Sequence, residues 1–321
     1  MTVFPWLTAP LVAAADIGRA VSLLVIGGGL LWLFVRSFQG KEVGRRVIFI
    51  FIFLAVAAPL LFPITFTEKA TPVVKRLYDK LESIPAGAHI LISFDFDPAM
   101  APEVQPMANA ITRHAMLRGH KVIFMSLWAT GQALMTQTLE NVIAREFPDK
   151  RPGEDYVVLG YKAGNEGVLN VIVTDLKKMF PTDIDNRPYS DIPVLEGVKS
   201  VRDVELVISI GGGKPGVKEW ILFVGDPGGV PIAGGVAAVV APEIYPYYPK
   251  QIVGILGGVK GAAEYESELA HNYRDRLAGM DTPGLRMMGP QTLSHMVIIA
   301  FILIGNFSFF MARRKSRGQG A

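Results

Sequence analysis

The chain alternates between long apolar stretches and one long segment of mixed polarity. Three stretches are long enough to cross a hydrocarbon core of about 30 Å, which takes roughly 20 apolar residues in a helix. They lie at residues 17–35, 47–66 and 293–312. This pattern predicts two transmembrane helices within residues 1–66, a water-exposed domain over residues 67–292, and a third transmembrane helix within residues 293–321.

Basic residues beside the apolar stretches predict the orientation of the chain, because lysine and arginine in short flanking segments stay cytoplasmic. One group separates the first two stretches and another follows the third: Arg36, Lys41, Arg45 and Arg46, then Arg313, Arg314, Lys315 and Arg317. Both groups predict a multi-pass protein of the cell membrane, in contact with membrane lipid. Its N-terminus and main domain are extracytoplasmic and its C-terminus is cytoplasmic. The opening residues MTVFPWLTAP lack positive charge, which disfavours a cleaved signal peptide.

Within the external segment, short apolar runs alternate with segments of helical periodicity. The predicted strands are His89–Phe94, Lys121–Leu127, Tyr156–Gly160, Val204–Ile210, Ile232–Val240 and Gln251–Leu256. The predicted helices are a stalk at Glu68–Ser83, then Gln105–Leu117, Gly131–Phe147, Asn165–Met179 and Ala262–Leu277. Such alternation predicts an α/β domain with a doubly wound, mostly parallel, Rossmann-like sheet. The near-continuous apolar run Val204–Ile210 predicts a strand covered on both faces.

Charge and composition remove several classes of function. The net charge is +3, but the basic residues are concentrated beside the membrane stretches, so the external domain is mildly acidic. A nucleic-acid partner is not expected, because it would need a basic face. The chain has no cysteine, which excludes thiolate catalysis and thiolate metal sites. The five histidines show no zinc-ligand spacing, so neither a metal nor a cofactor is expected. His114 and His120 flank the end of one helix and are predicted at the surface.

Residues that follow strands are the candidate site residues, because ligands of open parallel sheets bind outside the carboxyl ends of strands. Asp95 and Asp97 follow the first strand and could hold a cation or divide acid and base roles. The alternative is structural: Asp97 caps the next helix and Asp95 satisfies nearby backbone amides.

Two glycine-rich turns are further candidates for small-molecule binding. Gly211, Gly212, Gly213 and Lys214 follow the fourth strand and could present amides and a positive charge to an anion. Their spacing is not that of a phosphate-binding loop, and Pro215 removes one donor. The second turn precedes the last helix and comprises Gly257, Gly258, Lys260 and Glu264. Its small residues equally predict close packing of that helix on the sheet or on another subunit.

Other residues are candidates for interfaces. Tyr245, Tyr247 and Tyr248 alternate with prolines, a composition favoured in protein interfaces; alternatively, they cover the apolar edge of their own domain. Within the apolar stretches, Gly27, Gly28 and Gly29 permit close approach of helices. Asn306 is a polar residue deep in the third stretch, predicted to bond to another helix.

The sequence favours a membrane-anchored scaffolding subunit without catalytic activity, assembling with itself or with other membrane proteins. A competing hypothesis is an extracytoplasmic hydrolase or transferase that uses Asp95 and Asp97. A further alternative is a small-ligand sensor that acts through a partner, because the cytoplasmic segments are too short for an output domain. The ligand of such a sensor is not indicated by any motif.

Overall fold

The structure, a computed structural model, describes residues 5–38, 44–62, 64, 68–277 and 281–318. The end of the predicted second span, Lys41 and Thr67 lie outside the described residues. The chain forms two compact units. The first comprises Met1–Phe66 with Arg286–Ala321, and the second, called here the α/β unit, comprises Thr67–Leu285.

Helices and strands alternate through the α/β unit, whereas the first unit contains the first two helices and most of the last one. The α-helices are α1 (Pro5–Phe38), α2 (Arg45–Leu61), α3 (Pro72–Ser83), α4 (Ala101–Arg118), α5 (Gly131–Thr138), α6 (Glu166–Ile172), α7 (Leu176–Met179), α8 (Val217–Trp220), α9 (Asp226–Gly228), α10 (Ala241–Ile244), α11 (Gly258–Asn272) and α12 (Pro283–Gly318). The strands are β1 (His89–Asp95), β2 (Lys121–Ser126), β3 (Tyr156–Tyr161), β4 (Leu206–Gly211), β5 (Ile232–Val236) and β6 (Ile255–Gly257). π-Helical turns extend α5 and α8 at Leu139–Ala144 and Ile221–Gly225, and 3-10 turns lie at Tyr189–Asp191, Pro193–Leu195, Val201–Asp203 and Tyr245–Tyr247.

The strands form one six-stranded sheet in the order β3-β2-β1-β4-β5-β6, and every neighbouring pair is parallel. The prediction of a parallel α/β sheet is therefore confirmed. β4 lies between β1 and β5 and is buried at every residue, as its apolar run predicted. Parallel strands of this kind need cover on both faces.

Two apolar cores, one on each face of the sheet, provide that cover. Alternate side chains of a strand point to opposite faces. Thus Ile92 and Phe94 of β1 pack with Met107 of α4, whereas Leu91 packs with Ile123 and Trp220 on the other face. Burial of these large side chains is the main stabilising contribution to the unit.

Several predicted elements differ from the observed ones. The predicted stalk is part of the core, because Leu77 and Leu81 of α3 are fully buried in it. Helix α4 begins before the predicted start at Gln105, since Pro102 stands in the first turn, where amides have no intrahelical partner. The predicted helix Asn165–Met179 is two helices, because Asp175 accepts a hydrogen bond from the Lys178 amide (2.8 Å) and starts a new one.

The last two strands are shorter than predicted. β5 ends at Val236, and Ala237 begins the turn into α10, so the predicted extension to Val240 is wrong. β6 begins only at Ile255, so the predicted start at Gln251 is wrong. The Gln251 amide instead donates to the Tyr247 carbonyl (2.9 Å) and belongs to the preceding turn.

In the first unit, α1 and α2 are helical where apolar stretches were predicted. Among the described residues, one helix, Pro283–Met311 within α12, is long and apolar enough to cross a membrane. The apolar part of α1, Ala20–Arg36, is shorter, and α2 has 17 residues, since Arg45 opens it and the regular helix ends at Leu61. By this measure the structure supports one spanning helix rather than the three predicted.

Candidate functional site

The carboxyl edge of the sheet holds the position at which a ligand would be expected. Strands β2 and β3 are added toward one edge of the sheet from β1, and strands β4, β5 and β6 are added toward the other edge. The direction of winding therefore reverses between β1 and β4, and ligands of open α/β sheets bind at such a point. Asp95 and Gly211 end these two strands and lie opposite one another in register. The structure thus brings together two predicted candidates.

Asp95 is enclosed by donors and has no exposed surface. Its Oδ1 accepts hydrogen bonds from the Ser93 hydroxyl (2.7 Å) and the Leu127 amide (2.9 Å). Its Oδ2 accepts from the Ser209 hydroxyl (3.0 Å) and the Trp220 indole N–H (2.8 Å). A carboxylate offers about four lone-pair directions, and here all four are used. Burial raises the pKa of Asp95 to about 6, and the four donors oppose that rise. Asp95 therefore joins β1 to β4, to α8 and to Leu127, the residue that follows β2.

Asp97 has a different role from Asp95. Its Oδ1 accepts from the amides of Ala99 (3.0 Å) and Met100 (3.1 Å), directly before α4 begins at Ala101. These bonds close the turn that precedes α4. The N-cap of α4 is Met100, which carries no side-chain cap, so the predicted capping of this helix by Asp97 is wrong. The two aspartates are thus engaged separately, each by its own set of donors. In the described part of the chain, no group of three or more metal-ligating side chains is found.

The turn Gly211–Gly216 is occupied by side chains of the same unit. A Cβ added at Gly212 would lie 2.5 Å from Sδ of Met100, and one at Gly213 would lie 2.6 Å from the ring of Trp128. The Trp128 indole N–H also donates to the carbonyl of Pro215 (2.8 Å). Because these glycines have no side chains, Met100 and Trp128 can pack against the turn. Lys214 points into solvent and pairs with Glu166, at 3.1 Å between Nζ and Oε1.

The second glycine-rich turn packs in the same way. Gly258 has a φ of +62°, and an added Cβ would lie 2.9 Å from Cβ of Ala238. A Cβ at Gly257 would lie 3.1 Å from the Tyr245 hydroxyl, and one at Gly261 would lie 2.8 Å from the backbone of Leu256. Glycine thus lets α11 approach β6 and the loop after β5. This is the close packing of the last helix on the sheet that the sequence offered as the alternative to small-molecule binding.

Lys260 and Glu264 lie on α11, beyond this turn. The Glu264 carboxylate is buried, and its Oε2 accepts from the amide (2.8 Å) and hydroxyl (2.7 Å) of Thr71. Lys260 is exposed and stands 3.5 Å from Oε1 of the same carboxylate. Glu264 therefore holds the start of the α/β unit, and it does not join Asp95 in one pocket.

Three buried polar groups were missed by sequence reasoning. Glu266, also on α11, accepts from the amides of Gly284 (3.2 Å) and Leu285 (2.8 Å), so one helix holds both ends of the α/β unit. Burial raises the pKa of Glu266 to about 7. His114 and His120 are buried, which contradicts their predicted surface position. The spacing of His114 from Met107 and Ile111, seven and three residues, places it on the apolar face of α4 and could have indicated this.

His114 connects α3, α4 and α11. Its Nε2 donates to Oε1 of Glu82 (2.9 Å), and the hydroxyl of Tyr265 donates to its Nδ1 (2.6 Å). Tyr273 also donates to Glu82 (2.6 Å). The hydrogen bond from His114 contributes most to the lowered pKa of Glu82, about 2, while burial lowers the pKa of His114. These two pKa shifts fit a neutral His114 imidazole that accepts a hydrogen bond from the Tyr265 phenol and donates one to the Glu82 carboxylate.

The interface candidates are only partly exposed. Tyr245 is 47% exposed, whereas Tyr247 and Tyr248 are half-buried against the core of their own unit. Arg76 of α3 lies over the ring of Tyr248, 5.8 Å from its centre. In the first unit, Gly27 and Gly28 face open space and Gly29 is covered by the ring of Phe51. Asn306 is exposed on α12.

Comparison with protein-family models gives no match, and none is found among curated proteins.

Proposed function

We propose that this chain is a membrane-anchored scaffolding subunit without catalytic activity, which presents its α/β unit outside the cytoplasmic membrane for assembly. In this proposal α1, α2 and α12 all cross the membrane, the N-terminus and the α/β unit are extracytoplasmic, and the C-terminus is cytoplasmic. The partners are further copies of the chain or other membrane proteins.

The observation that carries the proposal is that the residues at the strand ends are engaged in hydrogen bonds and packing within the α/β unit. Asp95 has no free acceptor position, and Asp97 holds the turn before α4 through the amides of Ala99 and Met100. Trp128 and Met100 occupy the space beside the glycine turn that an anion would need. A catalytic acid or base must come within hydrogen-bond reach of its substrate. The hydrolase or transferase hypothesis therefore has less support, although burial raises the pKa of Asp95.

The membrane arrangement is supported by packing within the first unit. Ile26 of α1, Ala55 of α2, and Leu293 and Val297 of α12 form one apolar cluster. Many other apolar residues of these helices are exposed, including Leu24, Phe53 and Leu303 at 73%, 68% and 62%. Such exposure suits lipid rather than water, because large exposed apolar patches are rare on soluble proteins.

The absence of cysteine allows a direct test of the arrangement. Single cysteines placed at exposed Lys177, in the α/β unit, and at Gly44, between α1 and α2, would be labelled in intact cells with a membrane-impermeant maleimide. We expect labelling of Lys177→Cys only, and of both variants after the cells are opened. Labelling of Gly44→Cys in intact cells would overturn the orientation.

The proposed use of the tyrosine loop is tested with a matched pair of variants. Tyr245 is near β6 and Tyr161 ends β3, so these exposed tyrosines stand at opposite edges of the sheet. Chemical crosslinking in membranes, followed by mass spectrometry, would identify neighbours of the full-length chain. We expect Tyr245→Ala to remove crosslinks from the α/β unit and Tyr161→Ala to retain them. The same crosslinks in both variants would exclude this loop as the contact.

A further inference from the structure

The outer face of α12 differs from the face that packs within the first unit. Leu293, Val297 and Ile304 are buried, at 6%, 1% and 5% exposure, and form one stripe. Successive residues of a helix are rotated by about 100°. Asn306 consequently lies about 160° from the centre of this stripe, and its side chain is exposed. The helix therefore presents an amide on the face directed away from α1 and α2.

Residues on this outer face repeat at the spacing of a helix pair. His295, Ile299, Ile302, Asn306 and Phe309 follow one another at intervals of four and three residues, and all are exposed. This is the heptad spacing that keeps one seam of a helix facing its partner. We call these five residues the outer seam. A single asparagine within an apolar seam sets register and the number of helices in known helix pairs.

Asn306 is poorly placed for contact with lipid. It lies within the apolar segment of α12, five residues or about 7 Å along the helix before the segment ends at Met311. In the proposed arrangement this segment crosses the hydrocarbon region. That region holds no water to bond an amide. Within the described residues, the Asn306 side chain has no hydrogen-bond partner. A hydrogen-bond partner from outside the chain would remove the free-energy cost of leaving this amide unbonded in the hydrocarbon region.

A second copy of the chain satisfies these conditions by symmetry. Copies of one protein cross a membrane in the same direction, so their α12 helices are parallel and each Asn306 lies at the same depth. A carboxamide both donates and accepts hydrogen bonds, so two of them are complementary. Ile302 and Phe309, about one turn to either side, would seal the pair from lipid. A different protein would need its own polar group at this depth.

From this geometry we infer that α12 pairs in parallel with α12 of a second copy along the outer seam, with the two Asn306 amides bonded to each other. The inference rests on the proposed function, because α12 must cross the membrane. It goes further by naming the partner, the residues in contact and their register.

Disulfide crosslinking of the full-length chain in membranes tests the pairing, since the chain has no cysteine of its own. Ile302→Cys and Phe309→Cys lie on the outer seam. Leu303→Cys is the matched control, because Leu303, at 62% exposure, is close to Ile302 at 57% but rotated by about 100° from it. We expect disulfide-linked dimers from the two seam variants and little from Leu303→Cys. Equal crosslinking at residues 302 and 303, or none at the seam, would overturn the inference.

The role of Asn306 is tested in the Ile302→Cys background. Asn306→Leu keeps an apolar helix but removes the amide pair, and we expect self-association to weaken about 3- to 30-fold. Asn306→Gln retains a carboxamide and should restore most of the crosslinking. An unchanged yield with Asn306→Leu would refute the amide pair. If the seam does not crosslink while the chain still purifies with partners, the pairing fails and the proposed scaffolding role stands.

Discussion

Replacement of Gly213 by alanine tests whether the glycine turn after β4 serves internal packing. The added methyl group would lie 2.6 and 2.8 Å from two ring atoms of Trp128, closer than carbon atoms approach without displacement. The φ of Gly213 is outside the left-handed region, so the backbone itself accepts alanine. Trp128 is partly exposed but held by its hydrogen bond to the Pro215 carbonyl, so displacing its ring should cost at the low end of the about 1–3 kcal/mol of an overpacked core. We expect this loss in the free energy of unfolding.

A double-mutant cycle assigns the loss to Trp128. In a Trp128→Ala background the space beside Gly213 is open, so Gly213→Ala should cost little there, and the coupling should be about 1–3 kcal/mol. The matched control is Gly167→Ala in α6, where an added Cβ meets nothing within 4 Å. That change should stabilise by about 0.4–1 kcal/mol. Urea unfolding of the full-length chain in detergent would provide the four values.

The reasoning would be refuted if Gly213→Ala behaved like Gly167→Ala, or if its cost were the same with and without Trp128. Either result would mean that Trp128 does not occupy the space beside the turn. The glycines would then be free to contact an anion, and the competing enzyme hypothesis would gain support.

Three further predictions concern carboxylates of the α/β unit. The pKa of Glu266 is raised to about 7 from an ordinary value of 4.5, so the unfolded state binds fewer protons between these values and stability falls as pH rises through this window. Relative to Glu266→Gln, the wild type should lose about 3 kcal/mol in unfolding free energy from pH 4.5 to pH 8, and parallel curves would contradict this. The pKa of Glu82 is lowered to about 2, so its contribution is present above pH 4.5 and is lost as pH falls through 2. Glu82→Gln should therefore cost about 1–3 kcal/mol at pH 7, and the cost should shrink on acidification in the same titration. Asp97→Ala should cost about 1 kcal/mol through the lost hydrogen bonds to the turn amides of Ala99 and Met100, whereas Asp97→Asn retains an acceptor and should cost little; equal costs would show that these bonds do not stabilise the turn.

Periodicity in the sequence was sufficient to predict the parallel α/β fold. The apolar run that became β4 indicated its central position, because a strand covered on both faces needs no polar side. The irregular elements were harder to predict from the sequence. The break between α6 and α7 depends on a hydrogen bond from the Lys178 amide to Asp175, and a local bond of this kind leaves the helical periodicity unchanged.

The role of Asp95 was only partly accessible from the sequence. Ser93 and Asp95 are two residues apart on one face of a buried strand, which indicates a buried polar group in need of partners. The structural alternative was therefore available. However, the Trp220 donor comes from a helix 125 residues further along the chain, and no local pattern predicts that contact.

The glycine turns show a similar limit. Their composition indicates close approach, but the same composition serves an anion, a ligand or a side chain. Only the fold reveals that Trp128 and Met100 approach one turn and that Ala238 approaches the other. Likewise, the tyrosine loop could be predicted as aromatic and stiff, while the burial of Tyr247 and Tyr248 depends on their packing against the apolar core on one face of the sheet.

The mass of the full-length chain purified in mild detergent, measured by native mass spectrometry, tests the scaffolding role most directly. A single chain has a mass of 34.9 kDa. The account predicts an assembly at a defined multiple of this mass, or a defined complex with other membrane proteins. A lone chain of 34.9 kDa, stable in detergent and in lipid nanodiscs, would contradict it.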